Sequence, residues 1–187
     1  MQSNQAKHRP QSEISESIQK KLESLSNSEI IKTLGELASD ASGNERDRFS
    51  ALLLLGSFED KSAVAALLEN ISLPDYSLPK KPGTGAHPFT QDEYIRLGIV
   101  TRSERLIISA DDTPSVWALK KIGVFALPQI FEYVKTASVG NCQRSAKAIY
   151  LICGSQKEYN HFVKEYFTSL PEQAQRALAS LGYSEYD

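Results

Sequence analysis

The residues of this 187-residue chain best equipped for chemistry are three histidines (His8, His87 and His161), two cysteines (Cys142 and Cys153) and the adjacent acids Asp111 and Asp112. A zinc centre gathers Cys, His or carboxylate ligands on one point and is usually announced by close spacing such as HExxH. None of the histidines stands in such a pattern, so no metal role is expected. A nucleophilic Cys–His pair using His161 has no local support, because a thiol needs a nearby base or cation to ionise. Asp111 and Asp112 could act as paired acids if their carboxylates stood about 5 to 9 Å apart. They directly precede Thr113-Pro114, however, and acids there are explained by the exposed N–H groups of a helix start. Gly83-Thr84-Gly85 lacks the Lys-Ser/Thr ending of a phosphate-binding loop. No catalytic residue and no cofactor is expected.

The segment Pro74 to Phe89 is the best candidate for binding. Four prolines (Pro74, Pro79, Pro82 and Pro88) and two glycines exclude any regular element. The segment is also long for a connection between packed helices, which usually takes about two to eight residues. Between its rigidifying prolines stand Tyr76, Lys80, Lys81, His87 and Phe89, groups able to grip a partner. Loops on rigid frames commonly carry binding groups.

The frame is helical. Ile14, Ile18, Leu22 and Leu25 recur at helical spacing, as do Ile30, Ile31, Leu34, Leu37 and Ala38. Ser26 and Glu29 have capping-box spacing. A third helix is expected over Glu45 to Leu55, then a turn with Asp60 as cap, then a face of Val64, Leu67, Leu68 and Ile71. Thr113-Pro114 reads as N-cap and first helical residue. Val116, Leu119 and Ile122 follow, then Leu127, Ile130, Phe131 and Val134. Gly140-Asn141 reads as a turn. Ala146, Ile149, Tyr150 and Cys153 make the next face, and Ser155 caps a helix bearing Tyr159, Phe162, Val163, Tyr166 and Phe167, with Phe162 and Phe167 expected in the core. Pro171 opens a last helix with Ala174, Leu178 and Leu181. Tyr183 and Tyr186 make the C-terminal end aromatic, which suits a self-capping end or a contact surface. Nothing alternates with period two over a useful length. The fold expected is all-α, built from antiparallel helical hairpins.

Composition narrows the partners. There are 21 basic and 23 acidic residues, a formal net charge of -2, so no bulk attraction for nucleic acid is expected. A membrane span needs roughly 20 apolar residues, and apolar runs such as Ala51 to Leu55 are far shorter. Cys142 and Cys153, if on one helix, stand about 16 Å apart by helical rise, too far for a disulfide. Two free thiols favour a cytoplasmic setting, with an exported mature form whose signal has been cut as the alternative.

Three segments repeat one outline: RFSALLLLGSFEDKSAVAALLENI, PSVWALKKIGVFALPQIFEYV and QRSAKAIYLICGSQKEYNHFVKEYF. Each is a helix that ends near a glycine (Gly56, Gly123, Gly154), then a helix with a strong apolar face. Gly182 closes a fourth first helix. Glycine is expected to supply turn angles that other residues dislike, while Ala51, Ala118 and Ala177 let the first helices approach closely. Such units bury their faces only by stacking. Leu55-Gly56 with Asp60 and Ala63-Val64, and Ile122-Gly123 with Ala126-Leu127-Pro128, resemble the HEAT-type repeat. The resemblance covers about residues 45 to 73 and 112 to 186 and implies a short, irregular HEAT-like α-solenoid, interrupted at 74 to 111. Residues 1–11 are expected to be a disordered tail and 12–187 a single helical-repeat domain with the 74–90 loop.

The function expected is a protein-interaction or scaffolding module without catalysis of its own, with a protein partner or self-association. The alternative is a small-ligand-binding protein or lyase-like enzyme of helical-repeat type, with the 74–90 loop over a pocket.

Overall fold

The computed structural model describes residues 16–73 and 113–184. Every regular element among them is helical: α1 (Glu16–Glu23), α2 (Asn27–Ser39), α3 (Glu45–Leu55), α4 (Lys61–Glu69), α5 (Pro114–Ile122), α6 (Leu127–Val134), α7 (Val139–Cys153), α8 (Gln156–Tyr166) and α9 (Glu172–Ala179). Short 3-10 turns, Gly123–Ala126 and Phe167–Ser169, follow α5 and α8. The all-α expectation holds for these residues. The loop at 74–90, the acids Asp111 and Asp112, the tail at 1–11 and Tyr186 lie outside them.

The helix starts are where local chemistry puts them. At α2 the Ser26 hydroxyl accepts from the Glu29 N–H while the Ser26 N–H donates to the Glu29 carboxylate at 2.9 Å, a full capping box. The Ser26 hydroxyl, which also donates to the Glu29 carboxylate at 2.5 Å, and then the Ser26 N–H hold that carboxyl below its ordinary range. Asp60 accepts from the Ser62 N–H at 2.7 Å to start α4. Thr113 caps α5 with Pro114 next to it, and Ser155 caps α8 through the Glu158 N–H.

One start differs from expectation. Gly140 and Asn141 are not a turn but the first residues of α7, whose N-cap is Ser138 accepting from the Asn141 N–H. The serine hydroxyl competes better for the exposed N–H groups than the Gly-Asn pair does for a turn.

The core is continuous and built from the predicted faces. Ile30, Ile31, Leu34, Leu52, Leu55, Val64, Leu67, Leu119, Ile130, Phe131 and Ile149 are all buried. The second half of α3, from Phe49 to Leu55, is buried nearly all round, because α2, α4 and α5 all pack on the helix, while its first turn carries charged residues. The first helices of the repeated outline pack in sequence, α3 on α5, α5 on α7 and α7 on α9. The second helices do likewise, α2 on α4 and α4 on α6. Phe131 of α6 then stacks on Tyr166 of α8 with ring centroids 4.0 Å apart.

The glycines divide into two kinds. Gly123, Gly154 and Gly182 have φ of 77°, 70° and 90°, the left-handed region expected of them. Gly56 does not share this conformation. A Cβ there would stand 2.9 Å from the Ala118 Cα, so Gly56 is needed for the close approach of α3 to α5 rather than for its backbone angle.

On α8 the most buried aromatic is Tyr159, at 0% exposure, and Phe162 and Phe167 are only half-buried, against expectation. Tyr159 tolerates burial because its hydroxyl donates to the Leu178 carbonyl at 2.9 Å, tying α8 to α9. At the C-terminal end Tyr183 is buried and its ring lies 4.4 Å from that of Phe167.

Candidate functional site

The thiols argue against nucleophilic chemistry. Cys142 and Cys153 both lie on α7 and are free. Cys142 donates its S–H weakly to the Val134 and Ala137 carbonyls, each at 3.7 Å. Burial pushes both thiols up, Cys153 to about 11 with the Glu158 charge adding to it. An activated cysteine is shifted the other way. His161 is exposed and its ring meets the edge of Phe162 at 5.6 Å. Among the described residues no group of three His, Cys, Asp or Glu side chains could hold a metal ion. No described helix is long and apolar enough to cross a membrane.

The expected binding residues Tyr76, Lys80, Lys81, His87 and Phe89 lie outside the described residues, but the corner from which their segment springs is well defined. Past the end of α4, the Ile71 carbonyl accepts from the Thr113 hydroxyl at 3.0 Å and the Asn70 carbonyl from the Ser115 hydroxyl at 3.1 Å. Thr113 and Ser115 are fully buried. The Asn70 amide adds bonds to the Ala66 carbonyl (2.9 Å) and to the Ser39 hydroxyl (3.1 Å). Residues forty-two apart in sequence are thereby clasped at one corner of the helical frame.

Two surface features flank that corner. The first is an open groove of about 620 Å³ between α2 and α4. Its floor is small and apolar, with Ile31, Gly35, Ala65 and Ala66, and its rim is polar, with Ser28, Lys32, Glu36, Ser39, Asp60, Ser62 and Glu69. It exists because α2 and α4 meet through Gly35 and Ala66: a Cβ on Gly35 would touch the Ala66 methyl at 3.4 Å. Small residues at the seam bring the backbones close and leave a channel above them.

The second feature is a polar cluster where α6 ends and α7 begins. The Asn141 side-chain amide donates to the Tyr133 hydroxyl at 2.9 Å, and the Arg144 guanidinium donates to the Asn141 side-chain Oδ1 at 3.4 Å. Burial pushes the Tyr133 phenol up; the Asn141 hydrogen bond and the Arg144 charge oppose this, while Cys142 and Glu69 add to it. Glu69, on the groove rim, therefore lies within electrostatic reach of Tyr133.

Neither feature is legible in the sequence as a site. Gly35 and Ala66 occupy ordinary helical positions, and Arg144 reads as one of several scattered cations. Comparison with known proteins returns no matching family model, no matching curated sequence and no matching solved structure. The HEAT-type resemblance rests on this chain's own turn and face residues.

Proposed function

We propose that this chain is a protein-interaction module: a short, irregular HEAT-like α-solenoid of stacked antiparallel hairpins that presents a grooved helical surface and performs no chemistry of its own. The sequential packing of α3, α5, α7 and α9 beside that of α2, α4 and α6 supports the stacked arrangement. The single observation that carries the binding role is the open channel between α2 and α4, with its small apolar floor and charged rim. An open channel suits a segment of another protein, whereas a small ligand is normally enclosed on most sides. The segment with Tyr76, Lys80, Lys81, His87 and Phe89 springs from the corner beside this channel and supplies a second set of contacts.

The test is affinity capture from native extract with three baits: the wild type, a deletion of residues 76–88, and Ala65→Trp. Ala65 is exposed and lines the groove, so the indole fills the channel without entering the core. All three baits must first give the same helical circular dichroism. A protein retained by the wild type and lost from either altered bait supports the proposal. Absence of any specific partner for the wild type, or one retained equally by all three, overturns it.

A further inference from the structure

We propose that the occupant of the α2–α4 groove is a short basic segment of a partner protein, one that sets a lysine or arginine beside Glu36 and Glu69. The inference rests on the groove being the binding surface and names the chemistry of what fills it.

The shape of the groove sets the size of the segment. Gly35 of α2 meets Ala66 of α4, and one turn further on the Ser39 hydroxyl accepts from the Asn70 amide at 3.1 Å. The two helices therefore run parallel and end at the same corner. Along α4 from Asp60 to Glu69 the groove is roughly 13 Å long by helical rise, about the length of four extended residues. Around Gly35, Ala65 and Ala66 nothing larger than a methyl group rises from the floor, so a backbone can settle low between the walls.

The charges on the walls set its sign. Lys32, Glu36, Asp60 and Glu69 line the groove, three acids to one base. Asp60 starts α4, where exposed helix N–H groups offset its charge. Glu36 and Glu69 have no such offset. Each lies in the last turn of its helix, where unpaired carbonyls already present negative charge. Helices α5 and α9 instead carry Lys120, Lys121 and Arg176 in that turn. The Gly35–Ala66 and Ser39–Asn70 contacts put Glu36 and Glu69 on opposite walls of the same half of the groove.

The chain's own cations leave this half negative. Lys32 approaches Glu36 only to 3.9 Å with both side chains exposed, an ion pair of small worth. Arg48 is spent on the end of α2, donating to the Ala38 carbonyl at 2.9 Å. No ion pair among the described residues includes Glu69. The last turn of α4 has no base, and its cap is the neutral Asn70. The balancing cation therefore comes with the occupant. An acidic segment is repelled there, and a neutral one leaves both carboxylates unmatched.

The experiment is a 15N amide NMR titration of the full chain at fixed ionic strength. The probes are three N-acetylated, C-amidated pentapeptides: Ala-Lys-Ala-Lys-Ala and its glutamine and glutamate counterparts. The lysine peptide should give saturable shifts at Gly35, Ala65, Ala66 and Glu69, the glutamine peptide weaker ones and the glutamate peptide none. The amides of Glu132 and Glu172, acids outside the groove, should move little. Joining Glu36→Gln to Glu69→Gln should weaken the lysine peptide about tenfold, about threefold for each exposed charge removed. Ala65→Trp should abolish the response by filling the channel. Shifts as large at Glu132 and Glu172 as at Gly35, a glutamine peptide bound as well as the lysine one, or a double variant that binds undiminished each overturns the basic assignment. So does a groove that answers to none of the three peptides. The capture experiment still decides separately whether the groove holds a protein, because a partner lost from the Ala65→Trp bait would stand even if the basic peptide failed.

Discussion

Gly56 and Gly154 close equivalent helices and are required for opposite reasons, which makes them separable by the same substitution. At Gly154 there is open space for a methyl group, but φ is 70°. Gly154→Ala should therefore cost about 1–2 kcal/mol from the left-handed backbone alone. At Gly56 the backbone has no such strain, but the methyl would meet the Ala118 backbone at 2.9 to 3.0 Å. Gly56→Ala should cost about 1–3 kcal/mol through overpacking. Urea unfolding measures both. Pairing Gly56→Ala with Ala118→Gly separates the mechanisms: the second change relieves the contact with the Ala118 methyl and should recover part of the loss at position 56, but none at 154. An Ala118→Gly background that leaves the Gly56→Ala loss undiminished would place the strain elsewhere than the α3–α5 contact.

Among the elements, Thr113 has the most concentrated role. Its hydroxyl accepts from the Val116 N–H at 3.4 Å to start α5, and donates to the Ile71 carbonyl beyond the end of α4. Thr113→Val keeps the shape and removes both bonds in a fully buried place, so a loss of about 2–3 kcal/mol is expected. A drop in the urea midpoint with unchanged helical dichroism would bear this out, and a variant as stable as wild type would refute it. The capping half of this role was legible in the sequence, since Thr-Pro before an apolar face is a strong helix-start signal. So were the capping box at Ser26, the Asp60 cap and nearly every apolar face. The clasp to Ile71 was not, because a hydroxyl bonded across forty-two residues leaves no local pattern. The Gly140-Asn141 start departs from expectation for a related reason: the pair is a strong turn signal, and the Ser138 side chain shifts the balance towards helix. The groove and the Arg144 cluster arise between helices, where no single periodicity records them.

Across the molecule, the half-buried thiol of Cys153 makes stability depend on pH above neutrality. The Cys153 thiol titrates at about 11 in the folded chain against an ordinary 9.0, first from burial and then from Glu158. Below pH 9 both folded and unfolded chains hold this proton, and its contribution to stability is fully present. Between pH 9 and 11 only the unfolded chain releases it, so stability falls; above 11 the loss levels off. The urea midpoint of the wild type should decline across that window relative to Cys153→Ala, and parallel curves for the two proteins would contradict the shift. At this scale the clasp between Ile71 and Thr113 has a further meaning. Closing a loop costs free energy only with the logarithm of its length, roughly 0.6 kcal/mol for each doubling. With its two ends fastened at one corner by the frame's own hydrogen bonds, the stretch between them can lengthen, shorten or change composition at little thermodynamic expense to the helices. That corner is a socket: over evolutionary time it lets what is displayed diverge quickly while the helices that display it stay under the slow constraint of a packed interior.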